Sequence, residues 1–336
     1  MSARRIVIDT DPGLGAPGAD IDDGLAIAFA LRSPEVLVEA LTIVNGNVGV
    51  RAGAANAADL LRRLERTDVP VAVGAGKPLV EDMRPLRKLF ASFGGDAAEP
   101  PEDPPGGPDA ARALVDLILA SPGEITVVAI GPMTNLAQAL TLEPRFAGAV
   151  AELVLMAGSA TTYAQNVTTV TDFNAHADPE ALQMVLECGA PIRMVGLDQT
   201  SRVRLTRDDA RRMREEGGAF GAYAAECTDR WIDFLAAALP NRPEYADGCF
   251  LHDPLTLAAV IAPDLLRWEP AHVAVELHGR LTRGLAVADR GLGLVPPAGP
   301  PNALVAVDAD VDAFRSLFLE RISCAPPSPV QERTTP

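Results

Sequence analysis

The residues best equipped for chemistry lie near the start of the chain, in IDTDPGLGAPGADIDDG, which gathers Asp9, Asp11, Asp20, Asp22 and Asp23. Two carboxylates about 5 Å apart repel by roughly 3 kcal/mol at an effective dielectric of about 20, so protons or a cation must hold such a cluster. Oxygen ligands on a glycine-rich loop suit a hard cation, calcium or magnesium, better than zinc, which prefers nitrogen and sulfur. The same residues also have a structural use: Asp22 or Asp23 can cap the helix that follows, and Asp9 and Asp11 can make turns. A second candidate is His252-Asp253, at the head of the apolar run HDPLTLAAVI. An imidazole can donate near neutral pH. Asp253 can equally serve as an N-cap, with Pro254 at the first helical position.

The elements that must position these groups read strand, loop, helix. Ile6 to Ile8 is an apolar run broken by Asp9, Asp11 and a Pro-Gly turn, and apolar residues resume after Asp23. Val36 to Val44 reads as a mostly buried strand ending in Asn45-Gly46-Asn47, followed by a helix from Val50 to Arg66 and a short strand from Val69 to Val73. From Lys77 to Asp109 the pattern is lost, and EPPEDPPGGPD is too rich in proline for packed structure, so a mobile surface excursion is expected. Regularity returns with a helix from Ala110 to Ala120, a strand from Ile125 to Ile130, and Gly131-Pro132 opening a helix. Next come a strand from Leu153 to Met156, a polar loop, a helix capped by Asp178 and running to Gly189, and a strand from Ile192 to Leu197 that ends at Asp198. Beyond Arg204 the chain reads as mostly helical to Pro240, with Trp231 and Phe234 on one core face. Strand-like segments at Val273 to Leu277, Leu285 to Ala288 and Leu304 to Val307 precede a closing helix from Val311 to Glu320.

This alternation predicts an α/β fold with a mostly parallel central sheet flanked by helices on both faces. Ligands of such sheets bind beyond the carboxyl ends of the strands. Asp9 and Asp11, Asn45 and Asn47, Ile130-Gly131, the loop after Met156, and Asp198 all fall at such ends. Polar groups far apart in sequence therefore converge on one rim. The length suits one large α/β domain or two smaller ones, and residues 325–336 read as a disordered tail.

Composition narrows the function classes. With 29 basic and 45 acidic residues the formal net charge is −16, and Lys77 and Lys88 are the only lysines, which argues against a nucleic-acid backbone as partner. No apolar signal segment precedes the first strand and no apolar run approaches membrane-spanning length, so no membrane association and a cytoplasmic location are expected. Cys188, Cys227, Cys249 and Cys324 lack CxxC spacing and suggest neither zinc nor a disulfide framework.

Taken in order, the motifs resemble the inosine-uridine-preferring nucleoside hydrolase family. They are Asp9, Asp11 to Gly13, Asp22-Asp23, Gly46-Asn47, Gly131-Pro132-Met133-Thr134-Asn135, Leu155-Met156, Asp172-Phe173-Asn174, Asp178-Pro179-Glu180, Val195-Gly196-Leu197-Asp198 and His252-Asp253-Pro254. The resemblance implies a single catalytic domain over residues 1–324 with a Rossmann-like nucleoside hydrolase fold, a homodimer or homotetramer, and hydrolysis of the N-glycosidic bond of ribonucleosides to ribose and a free base. It implies one calcium ion, held by Asp11, Asp23, the backbone carbonyl of Ile130, and Asp253, with Asp9 behind them. By the same resemblance Asp22, Asn47, Met156, Asn166, Asp172 and Asn174 bind the substrate. The chemistry suits that set: cleavage builds positive charge on the sugar and needs an activated water. Asp11 would take the proton of a water activated by calcium, and His252 would assist the leaving base.

Three features depart from the family pattern. Eight residues, Leu14 to Ile21, separate Gly13 from Asp22 where the family has one, and an excursion over the pocket would bring Gly15, Pro17, Gly18 and Asp20 close to the substrate. Asp172 stands where glutamate is common, and the histidine-containing segment that usually follows the third strand has no clear counterpart in FGGDAAEPPEDPP. Two other classes compete. One is a non-catalytic calcium-dependent nucleoside- or sugar-binding protein. The other is a haloacid-dehalogenase-like phosphohydrolase, which also begins with a strand ending in DxD but needs a later lysine that neither Lys77 nor Lys88 convincingly supplies.

Overall fold

The computed structural model describes residues 3–81, 109–162 and 164–323. Most of the expected excursion after Lys77, the expected tail over 325–336, and Cys324 lie outside the described residues.

Among the described residues eleven strands follow in chain order: β1 (Arg4–Thr10), β2 (Val36–Ile43), β3 (Val71–Val73), β4 (Ile125–Ala129), β5 (Glu152–Met156) and β6 (Ile192–Val195). Then come β7 (Arg204–Thr206), β8 (Gly248–Phe250), β9 (Leu266–Val275), β10 (Ala286–Asp289) and β11 (Ala303–Ala309). Among the described residues the central sheet has nine strands, ordered β10-β9-β11-β6-β5-β4-β1-β2-β3. From β6 to β3 every pairing is parallel, β11 joins β6 in parallel, and β9 and β10 add antiparallel strands at one edge.

Helices cover both faces, which explains why β1 and β4 are apolar without alternation. In β1, Ile6 and Ile8 join one core cluster while Val7 joins the cluster across the sheet, and all three are fully buried. Helix Asp22–Leu31 is apolar on every side because it lies inside the first cluster, packed against helices His252–Ile261 and Val311–Ser323. Phe29 meets Phe314 and Phe318 there, at centroid distances of 6.0 and 5.7 Å. Trp231 and Phe234 stack at 5.3 Å against the same core.

Several boundaries differ from the sequence reading. The strand expected to reach Leu197 ends at Val195, and Leu197–Thr200 forms a single helical turn that carries Asp198. Strand β9 starts at Leu266 rather than Val273, because antiparallel pairing with β11 enforces a strand over residues with no period-two pattern. Beyond Arg204 the chain is mostly helical to Pro240 as expected, in helices Arg207–Glu216 and Gly218–Ala238, while the short antiparallel ribbon of β7 and β8 is too brief to show periodicity in the sequence. Among the described residues no helix is long and apolar enough to cross a membrane.

Candidate active site

Strand order reverses around β1, which has β2 on one side and β4 on the other, so the carboxyl ends of β1 and β4 bracket a crevice. The early aspartates sit there. Asp9 is fully buried, its Oδ1 accepting from Thr42 and from Nδ2 of Asn135 at 2.8 Å, while Oδ2 has no partner. Burial pushes its pKa up to about 7, against those two hydrogen bonds.

Asp11, Asp22, Asp23 and Asp253 are buried together. Asp22, Asp23 and Asp253 each offer a carboxylate oxygen within 4.8 Å of the others. Asp11 joins them through Asp23, whose Oδ1 accepts its backbone N–H at 3.1 Å. The sequence reading placed Asp11 among the ligands and Asp22 on the sugar; Asp22 stands in this trio, its Oδ2 accepting from the N–H groups of His252 (3.0 Å) and Asp253 (3.2 Å). Asp23 also accepts from Thr10 Oγ1 at 2.5 Å and from Asn47 Nδ2 at 2.8 Å.

The electrostatics are those of an unneutralised cluster. Burial, then the charge of Asp22, raises Asp23 to about 6. Burial, then the Asp23 charge, holds Asp11 well above the ordinary carboxylate range, and burial followed by Asp22, Asp23 and Asp11 does the same to Asp253. Asp11 accepts the Asn47 N–H on Oδ2 at 2.6 Å, but its Oδ1 is buried without a partner. An orphaned carboxylate oxygen beside three more carboxylates fits a hard divalent cation, which would supply the missing positive charge. The carbonyl of Ile130, at the end of β4, accepts from Nδ2 of Asn174 at 2.8 Å.

His252 begins the helix His252–Ile261 and lines a cavity of about 330 Å³ with Asn166, Tyr245 and Phe250. Burial pushes its pKa down to about 4, so the imidazole is neutral at physiological pH. Asn166 is exposed at the edge of this cavity. Asn174 bridges the carbonyls of Ile130 and Met156, bringing Met156 to the same rim. Asp172 caps helix Phe173–Ala177 through the Ala175 N–H at 3.0 Å, and its other oxygen accepts from Gly158 N–H at 2.7 Å. It is therefore bound to backbone on both oxygens.

The insertion is exposed at Gly15 and Pro17 and anchored on either side of them. Leu14, Ala19 and Ile21 are buried, and Ala16 N–H closes a turn on the Gly13 carbonyl at 2.8 Å. Burial of Leu14 on one side and of Ala19 and Ile21 on the other pins the insertion to the core, and Asp20 lies beside the cluster, its pKa raised by burial and then by the Asp22 charge.

Sequence reasoning missed Thr10, Thr42, Thr200 and the wall formed by Tyr245 and Phe250. Thr10 carries a signal in hindsight, lying between Asp9 and Asp11 on the strand. The others touch the site only through tertiary contacts: Thr200 Oγ1 stands 2.8 Å from Nδ1 of His252.

A family model described as inosine-uridine preferring nucleoside hydrolase matches residues 6–316. The chain is 36% identical to a probable uridine nucleosidase 2 of Arabidopsis thaliana over 327 residues, covering 95% of this chain and 97% of that one. It is 32% identical to a pyrimidine-specific ribonucleoside hydrolase of Klebsiella pneumoniae over 323 residues, covering 96% and 99%. Its fold is similar to the solved structure of a purine-preferring ribonucleoside hydrolase from Gardnerella vaginalis, with a TM-score of 0.80, 30% identity, and 95% and 98% of the two chains covered.

Proposed function

The chain belongs to the inosine-uridine preferring nucleoside hydrolase family, whose members are hydrolases of N-glycosyl compounds, and from that premise we propose that it cleaves ribonucleosides to ribose and free base at the acidic rim with calcium as cofactor. The observation that carries this reading is the orphaned, buried Oδ1 of Asp11 in a four-carboxylate cluster beside the His252 cavity. Asp11, Asp23, Asp253 and the Ile130 carbonyl would hold the cation, with Asp22 close enough to adjust to it. Bound there, calcium supplies Lewis acidity toward water and neutralises the cluster. A carbonyl oxygen has two lone pairs, so Ile130 can keep its bond to Asn174.

Asp11 takes the proton from the attacking water, its carboxylate oriented by the Asn47 N–H on Oδ2. The surrounding carboxylates favour the positive charge that develops on the sugar. Asp22, Asn47, Asp172 and Asn174 bind ribose hydroxyls, and Met156 and Asn166 line the pocket. His252, neutral in its desolvated setting, gives a hydrogen bond to the departing base rather than acting as a standing imidazolium. Family membership sets aside the phosphohydrolase reading, and the intact acidic cluster beside His252 weighs against binding without turnover.

The test is ribose release from uridine, cytidine, inosine, adenosine and guanosine, each repeated after chelation. Calcium-restored release is expected, and equal release by metal-free protein would sink the metal assignment. The names of the relatives divide between pyrimidine and purine, so the ranking across the panel gives the base preference. Light scattering reads the homo-oligomer that the family resemblance implies.

A further inference from the structure

The imidazole of His252 has a fixed ring partner in the Thr200 hydroxyl. Nδ1 stands 2.8 Å from Thr200 Oγ1, and Thr200 is fully buried. Thr200 ends the single turn Leu197–Thr200 after β6, with its N–H bonded to the Gly196 carbonyl at 3.1 Å. The backbone of His252 is fixed independently, through its N–H to Asp22 Oδ2 at 3.0 Å. Two elements distant in sequence thus hold His252, one at the ring and one at the backbone.

The direction of the Thr200 bond decides what His252 can do. A hydroxyl has one hydrogen to donate. Its other acceptor is the Leu197 carbonyl at 3.5 Å, the outer limit for a hydrogen bond, whereas Nδ1 is at an ordinary distance. If the hydrogen went to Leu197, Nδ1–H would donate to Oγ1 and Nε2 would be a bare acceptor. When it goes to Nδ1, Nε2 carries the hydrogen.

We propose that Thr200 is a positioning residue for the hydrolysis, donating to Nδ1 of His252 so that Nε2 keeps the hydrogen offered to the leaving base. This rests on the reading that His252 serves that base. Thr200 touches no reacting atom, and its β-branched side chain has restricted χ1 freedom, which suits a fixed donor.

Thr200→Val keeps the shape and removes the donor; Thr200→Ser keeps the donor. Thr200→Val should lower kcat on uridine and inosine by about 10- to 100-fold with KM within about twofold, and should spare p-nitrophenyl riboside, whose leaving group needs little help. Thr200→Ser should restore nucleoside turnover. Nitrogen-15 NMR of the four histidines, with His252 assigned from the His252→Gln spectrum, should show the Nε2–H tautomer in the wild type and its loss in Thr200→Val. An Nδ1–H wild-type tautomer, undiminished nucleoside turnover in Thr200→Val, or equal losses on both substrate types would overturn the proposal. If His252→Ala is impaired on nucleosides while Thr200→Val is not, this inference alone fails; if His252→Ala also turns over nucleosides normally, the leaving-group reading fails with it. Should Thr200→Val not fold, the wild-type spectrum and Thr200→Ser still decide.

Discussion

Asp11 shows how much one residue depends on what its two oxygens meet. One is held by the Asn47 N–H, and the other is buried with no donor in reach. Asp11→Asn keeps the shape and removes both the proton acceptor and a like charge. We expect kcat to fall by about 10²- to 10⁴-fold, the range for loss of a general base, with thermal stability of the metal-free protein unchanged or raised. A variant with near wild-type turnover would remove Asp11 as base. At His252 the expected signature is selective: His252→Ala should cost far more on nucleosides than on p-nitrophenyl riboside. Equal losses would point to a packing role, in keeping with its contact to Phe250 at 5.9 Å.

At the scale of elements, the site depends on loops that pack tightly where the strands end. A Cβ built on Gly46 would stand 1.8 Å from Asp11 Oδ2, and one on Gly131 would stand 2.6 Å from Oδ1. These two glycines, after β2 and β4, let the backbone close around the carboxylate. Gly46→Ala must displace Asp11 or the loop, so turnover should collapse while circular dichroism stays native-like; wild-type kinetics would show that the loop yields without moving Asp11. Behind the loops, Asn135 bonds Asp9, the Ile43 carbonyl and the Ala75 N–H, tying the starts of several connections together. Helix Asp22–Leu31 carries two of the acids and is anchored by Phe29. Phe29→Ala should destabilise by about 3–5 kcal/mol in denaturant melts, the cost of a cavity left by a core aromatic, and a loss below about 1 kcal/mol would mean the neighbouring Phe314 and Phe318 refill it.

For the whole molecule, the excess of acid is partly an interior property, because several aspartates are buried where they repel one another. A carboxyl whose pKa is higher folded than unfolded binds more protons in the folded state between the two values, so folding stability falls as pH rises through that window. Asp9 at about 7 and Asp23 at about 6, against an unfolded value of about 4, place the window between about pH 4 and 7. The chelated protein should therefore gain melting temperature as pH drops from about 8 to about 5. Calcium should raise the melting temperature most at the alkaline end and flatten the slope, because it replaces the missing protons. A chelated protein whose stability rises with pH across this range would show that the cluster is not strained.

Much of the site was legible because it is local in the chain. The Asp-rich loop, the capping residue Asp178, whose side chain accepts the Ala181 N–H at 3.1 Å, and the placement of Asp9, Asn47 and Ile130 at strand ends all follow from nearest-neighbour chemistry and the alternation of strand and helix. What the sequence by itself determined is the parallel α/β frame and the identity of the acids that crowd its rim. Only the tertiary structure decided that Asp22 stands with Asp23 and Asp253 while accepting from N–H groups 230 and 231 positions away, that Leu14, Ala19 and Ile21 of the insertion are buried, and that Thr200 reaches His252. The reason is physical: spacing along a chain sets periodicity and turns, whereas distances between strand ends, and the burial that shifts each carboxyl and the imidazole, depend on how separate elements pack.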